Sequence, residues 1–197
     1  MIMLGTAFWI MVVFFAIIGT QRTWTREIIA TAGLVLSLFI IYWFIPIING
    51  FIGFYNQPFG VEMEDIWTFS VIIMGSIHLF IAFAAYAGPA LSGAMGARLK
   101  VRDNIQDKFM ALLAGGLNGY LIVGTLWGIL NYYSTQDKQW LATTGVPYPF
   151  APYIVRPPDN TWDILMEWLP IPLLVSNEYI LPVLVALVLL FVLIVLI

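Results

Sequence analysis

Polar and apolar positions fall into blocks along this chain. Met1–Gln21, Ile28–Val61, Ile66–Ala97, Phe109–Gln136 and Tyr179–Ile197 contain no Asp, Glu, Lys or Arg. A hydrocarbon layer about 30 Å thick is spanned by roughly 20 apolar residues of helix. Each block reaches or approaches that length. Backbone groups cannot stay unpaired in lipid, so such blocks form helices or a closed barrel. A barrel requires two-residue alternation, and these runs are continuous. The pattern predicts helices near Ile2–Gly19, Ile28–Gly53, Ile66–Ala90, Phe109–Tyr133 and Glu178–Ile197. Pro46 is expected to kink or end the second, and Gly88-Pro89 to close the third.

The fold class expected is therefore an all-α integral membrane protein. Residues 1–133 form a four-helix core, 134–177 an extracytoplasmic proline-rich loop, and 178–197 a C-terminal transmembrane helix. Composition agrees: 61% of residues are apolar and 10% charged, against roughly 25% charged in an average soluble domain. The absence of cysteine removes thiol nucleophiles, disulfides and Cys metal sites from consideration. The first stretch lacks a basic n-region and a small-residue cleavage pattern, so it is expected to be a retained helix.

The charges between the blocks set an orientation. Arg22, Arg26, Arg98, Lys100, Arg102 and Lys108 occupy the first and third connections, six of the eight basic residues. The other connections hold eight of the eleven acidic residues and two basic ones. The positive-inside rule places the N-terminus outside and the C-terminus in the cytoplasm. Trp24, Trp43, Tyr55, Trp67, Trp127, Tyr132, Tyr133 and Trp140 lie near predicted helix ends, where amphipathic rings favour the interface. Filling gaps between helices is the competing explanation for some of them.

Two segments carry a resemblance. One is Gly19-Thr20-Gln21-Arg22-Thr23-Trp24-Thr25-Arg26-Glu27-Ile28-Ile29, and the other runs from Asp107-Lys108-Phe109 through Gly115-Gly116-Leu117-Asn118-Gly119. Over roughly residues 1–133 the chain resembles the colicin V production protein family. Gly19, Arg22, Arg26, Glu27, Asp107, Gly115 and Gly119 fall on the family's pattern positions. Thr23 stands where the family has glycine, and Lys108, Ala111 and Asn118 are near departures. The resemblance implies a small bacterial inner-membrane protein with four core helices. The family's molecular activity is poorly defined, so it implies an architecture more than a reaction.

Candidate sites follow from the remaining polar and small residues. Gly115-x-x-x-Gly119 and Gly124-x-x-x-Gly128 put small residues on one helical face, where two backbones approach closely. That seam serves a partner protein or, as the favoured reading, this chain's own bundle. Asn118 beside it offers an interhelical hydrogen bond. His78 is the lone histidine and the one ionisable side chain deep in a predicted span, a functional candidate by default. A neutral histidine bonded between helices is favoured over a tetrapyrrole ligand, so no cofactor is expected. Arg22, Arg26, Glu27, Arg98, Arg102, Asp107 and Lys108 form a cytoplasmic charge cluster. Glu27 and Asp107 complement helix N-termini there. The cluster is a solvated headgroup-facing patch, an Arg/Asp network tying the loops together, or both; six cations with three anions do not suggest nucleic-acid binding.

The 134–177 segment is rich in proline, which favours extended chain. Within it, Trp162, Leu165, Met166 and Leu169 share one helical stripe, with Asp163 and Glu167 on another face. This predicts an amphipathic helix at 161–169 stopped by Pro170. It lies on the outer surface against a partner protein or against its own bundle.

No HExxH, phosphate loop or nucleophile–base pairing is present, so an enzyme is not expected. The reading is a non-catalytic membrane protein that assembles or scaffolds other integral membrane proteins, with lipid as its surroundings. The alternatives are an accessory subunit of a respiratory or photosynthetic complex, with His78 near a pigment or haem, and a small transporter or channel.

Overall fold

The structure is a computed structural model. It describes residues 2–56, 63–91, 105–131, 153–155, 168–175 and 177–196. Four long helices come first: α1 (Leu4–Gln21), α2 (Trp24–Asn56), α3 (Met63–Leu91) and α4 (Ile105–Asn131). A short α5 (Pro170–Val175) and the apolar α6 (Ile180–Leu196) follow. Two-residue strands β1 (Ile2–Met3) and β2 (Ile154–Val155) pair in parallel just ahead of α1. The described chain is otherwise helical.

Three helical segments, Leu4–Gln21, Trp24–Trp43 and Ile105–Leu130, are long and apolar enough to cross a membrane; Val71–Ala87 and Ile180–Leu193 are shorter apolar helical segments. Burial departs from that of a water-soluble bundle. Phe83 on α3 is 74% exposed, whereas Glu27, His78 and Asn118 have no exposed surface. Apolar side chains outside and polar ones inside are what a hydrocarbon solvent selects.

The links explain how the helices start. Only Arg22 and Thr23 separate α1 from α2. The Thr23 hydroxyl accepts a hydrogen bond from the Arg26 amide at 3.3 Å, which makes Thr23 the N-cap of α2. Capping also begins α2 at Trp24, four residues before its charge-free stretch. Pro46 does not end α2, which continues to Asn56.

Pro170 opens α5. Proline is tolerated in a first turn because its missing N–H would have no partner there. The first turn closes with Leu173 N donating to Leu169 O at 3.1 Å. Residues 161–167 of the expected amphipathic helix lie outside the described residues. At the head of α6, Asn177 Oδ1 accepts from the Tyr179 amide at 2.9 Å. Pro182 then sits harmlessly in that helix's first turn.

Helix α4 is the hub. It packs against α1, α2, α3 and α5, while α6 leans on α2 and α5. The main core joins Leu34 and Leu38 of α2, Met74 of α3, Ile122 and Ile129 of α4, Val175 of α5 and Leu181 of α6. A second core of Phe8, Trp127 and Leu169 lies under the head of α1.

Candidate functional site

The site grows from the close seam between α1 and α4. Antiparallel contact places Gly19 beside Gly115, and Val12 and Phe15 beside Gly119. A Cβ on Gly115 would stand 2.5 Å from the Phe15 carbonyl oxygen and 2.9 Å from the Gly19 Cα. Backbone occupies that space, so glycine is required on both helices. The second pair faces elsewhere: a Cβ on Gly124 would stand 2.6 Å from Pro170 Cδ, and one on Gly128 2.9 Å from Ile171 Cδ1. All four glycines of the two GxxxG repeats thus pack against this chain itself.

At the α2 end of that seam lies a buried carboxylate. Glu27 sits in the first turn of α2 and has no exposed surface. Arg22 Nε lies 3.0 Å from Glu27 Oε1. Asn118 Nδ2, from α4, donates to Glu27 Oε2 at 2.8 Å and to the Glu27 carbonyl at 2.9 Å. The Tyr86 hydroxyl, from α3, donates to Oε2 at 3.1 Å. Thr31 Oγ1 donates to Asn118 Oδ1 at 2.7 Å, which sets the orientation of that amide. Arg22 also donates to the Tyr86 carbonyl at 3.2 Å. Its guanidinium carbon stands 4.4 Å from the centre of the Tyr86 ring, within cation–π range.

One carboxylate therefore ties together the α1–α2 link, α2, α3 and α4. An isolated ion here would cost several kcal/mol, about the penalty that survives relaxation in real proteins. The cationic partner, the amide and the phenol offset that cost together. The arrangement leaves Glu27 no face open to a substrate, so it holds helices.

Of the expected charge cluster, Arg22 and Glu27 are in contact. Arg26 follows in the same turn of α2, and its buried Nε has no hydrogen-bond partner. Asp107 occupies the first turn of α4 and Lys108 follows it. Arg98 and Arg102 lie outside the described residues. Among the described residues, an Arg22–Glu27 pair completed by Asn118 and Tyr86 ties the first connection to α3 and α4. Tyr86 and Thr31 were not singled out in the sequence; their only signal was being polar within charge-free stretches.

His78 lies at the centre of the bundle with no exposed surface. Its Nδ1 is 2.6 Å from Ser37 Oγ of α2, and the same hydroxyl is 2.9 Å from the Leu34 carbonyl. His78 Nε2 makes no hydrogen bond. A ring with no solvent-accessible surface has no neighbouring space even for a water, and a flat macrocycle needs far more. Gly75, one turn away, has Leu126 Cδ2 at 3.8 Å from the position of a Cβ. His78 thus pins α3 to α2 in a dry interior. Among the described residues no cluster of three or more His, Asp or Glu could hold a metal ion.

Of the expected partner stripe, Leu169 is buried against Phe8 and Trp127. Trp162, Leu165 and Met166 lie outside the described residues. Trp127 is packed between helices at 2% exposure, with its ring 5.7 Å from that of Phe8. Trp43 is 58% exposed.

The fold and this site define an α-helical membrane protein whose polar interior fastens its helices. No protein-family model, curated protein or solved structure matches the chain.

Proposed function

We propose that this chain is a non-catalytic membrane protein of the colicin V production type, which assembles or scaffolds other integral membrane proteins. It crosses a bacterial inner membrane five times, with its N-terminus outside and its C-terminus in the cytoplasm. One observation carries this reading. The two segments that bear the resemblance, around Gly19–Glu27 and Asp107–Gly119, meet at a single place, with Gly19 on Gly115 and Glu27 on Asn118. The groups that resemble the family thus serve internal architecture. Among the described residues, what remains for other molecules is largely the apolar outside, including Phe80 and Phe83 of α3 and Leu187 and Leu190 of α6.

The test is purification of the tagged chain from its native membrane in mild detergent, after cross-linking from α3 and α6. A discrete complex with other integral membrane proteins is the expected result. A chain recovered only by itself would overturn the reading. Absorbing cofactors in the complex would favour an accessory respiratory or photosynthetic subunit. Colourless homo-oligomers that pass ions would favour a channel.

A further inference from the structure

Helix α4 serves as a depth gauge. Its charged end is marked by Asp107 and Lys108, and a hydrocarbon layer of about 30 Å above them ends roughly 20 residues later, near Gly128. At 1.5 Å per residue, Gly124 lies about 6 Å below that outer boundary and Tyr120 about 12 Å below it.

Three described points of the chain can be placed on this scale. Ile154–Val155 pairs with Ile2–Met3, ahead of α1 and about level with that boundary. Pro170 then packs on Gly124, and the Trp168 carbonyl accepts a hydrogen bond from the Tyr120 hydroxyl, both within the layer. Ile171 already reaches Gly128, so the chain is climbing again. By Asn177, Glu178 and Tyr179 it forms an exposed polar turn that launches α6. The described points thus run from the outer end of the bundle down α4 and back up again.

We infer that Trp168–Val175 is a re-entrant segment that dips into the outer leaflet, wedged against the Gly124–Gly128 face of α4 and fastened at depth by Tyr120. Backbone outside a long helix survives at such depth only where protein covers it or water reaches it. Here protein covers one side of it: Leu169, Pro170, Ile171 and Val175 are buried. Pro170 and Ile171 fill the space that two missing side chains leave on α4. Leu169 is shut between Phe8 and Trp127. The Trp168 carbonyl, whose partner four residues on would be Pro172, which has no N–H, takes the phenolic proton of Tyr120. Proline at positions 170 and 172 also lowers the number of N–H groups needing acceptors. The aromatic cluster of the outer leaflet is the socket for this segment.

The chain lacks cysteine, so single thiols report position directly. Trp168→Cys and Tyr179→Cys variants of the full chain are placed in lipid nanodiscs and labelled with bimane. The indole of Trp168 is largely exposed, so its replacement leaves the packing intact. Bimane at 168 is expected to be quenched more strongly by acyl-chain spin labels than by headgroup spin labels, with the reverse at 179. Reaction with a charged maleimide should be about tenfold slower at 168 than at 179. Adding Tyr120→Phe should speed labelling at 168 and leave 179 unchanged. If the Trp168 variant does not fold, Leu173→Cys on α5 carries the same comparison. Headgroup-type quenching and equal reaction rates at the tested position and 179 would overturn the inference.

Discussion

A single amide nitrogen of Asn118 reaches both the carboxylate and the backbone carbonyl of Glu27, at 2.8 and 2.9 Å. The contact spans two helices and closes one end of the bundle. Asn118→Leu keeps a similar volume but strips Glu27 of its α4 donor. The expected loss is about 2 kcal/mol, the usual range for a hydrogen bond to a charged group, read as reduced resistance to unfolding in mixed micelles. A change indistinguishable from zero would mean that the amide is ornamental.

Arg22 and Glu27 should be strongly coupled. Arg22→Met leaves a buried carboxylate without its cation and is expected to cost about 3 kcal/mol. Glu27→Gln keeps an acceptor for Asn118 and Tyr86 and should cost about 1 kcal/mol. The double variant should fall short of the sum of the two by about 1 kcal/mol or more. Strict additivity in the thermodynamic cycle would show that the ion pair contributes nothing.

Neighbouring glycines on α4 should respond in opposite ways. Gly115→Ala pushes a methyl into the α1 backbone, so a cost of about 1–3 kcal/mol is expected from overpacking. At Gly116 the nearest atom to an added Cβ is Ala16 Cβ at 3.5 Å, an ordinary contact. Gly116→Ala should therefore be neutral or raise stability by up to about 1 kcal/mol through helix propensity. Thermal melts of the two variants side by side decide this, and equal losses would contradict the seam.

His78→Ala should open a cavity among α2, α3 and α4 and cost about 2–4 kcal/mol. Ser37→Ala removes only the hydrogen bond and should cost about 1 kcal/mol. The visible absorbance of any natively purified complex should not change in either variant. Loss of a pigment band in His78→Ala, with the band kept in Ser37→Ala, would restore the ligand reading.

The helical segments were legible because lipid demands long runs without charge, and no other environment rewards them. Their ends were less so. Trp24 to Glu27 belong to α2 because Thr23 caps it, and a charge-free count cannot see a cap. Glu27 is legible as a carboxylate at the head of the second helix, but its burial is not. Its burial depends on Tyr86 and Asn118, which lie 59 and 91 residues away. Asn118 was visible as a polar group beside a small-residue seam, whereas the group it would bind was not. That Pro170 also opens a helix was not legible, because proline both ends and begins helices and its packing on Gly124 is a tertiary contact.

The distance between Glu27 and Asn118 along the chain governs how this protein is made. Synthesis delivers the carboxylate 91 residues before the amide that completes its surroundings. The first two helices thus leave the ribosome with their glycine face bare and a charge awaiting its cradle. Insertion machinery must shelter that hairpin until the fourth helix arrives. A nascent chain arrested ahead of position 118 is the form that membrane quality-control proteases would find first.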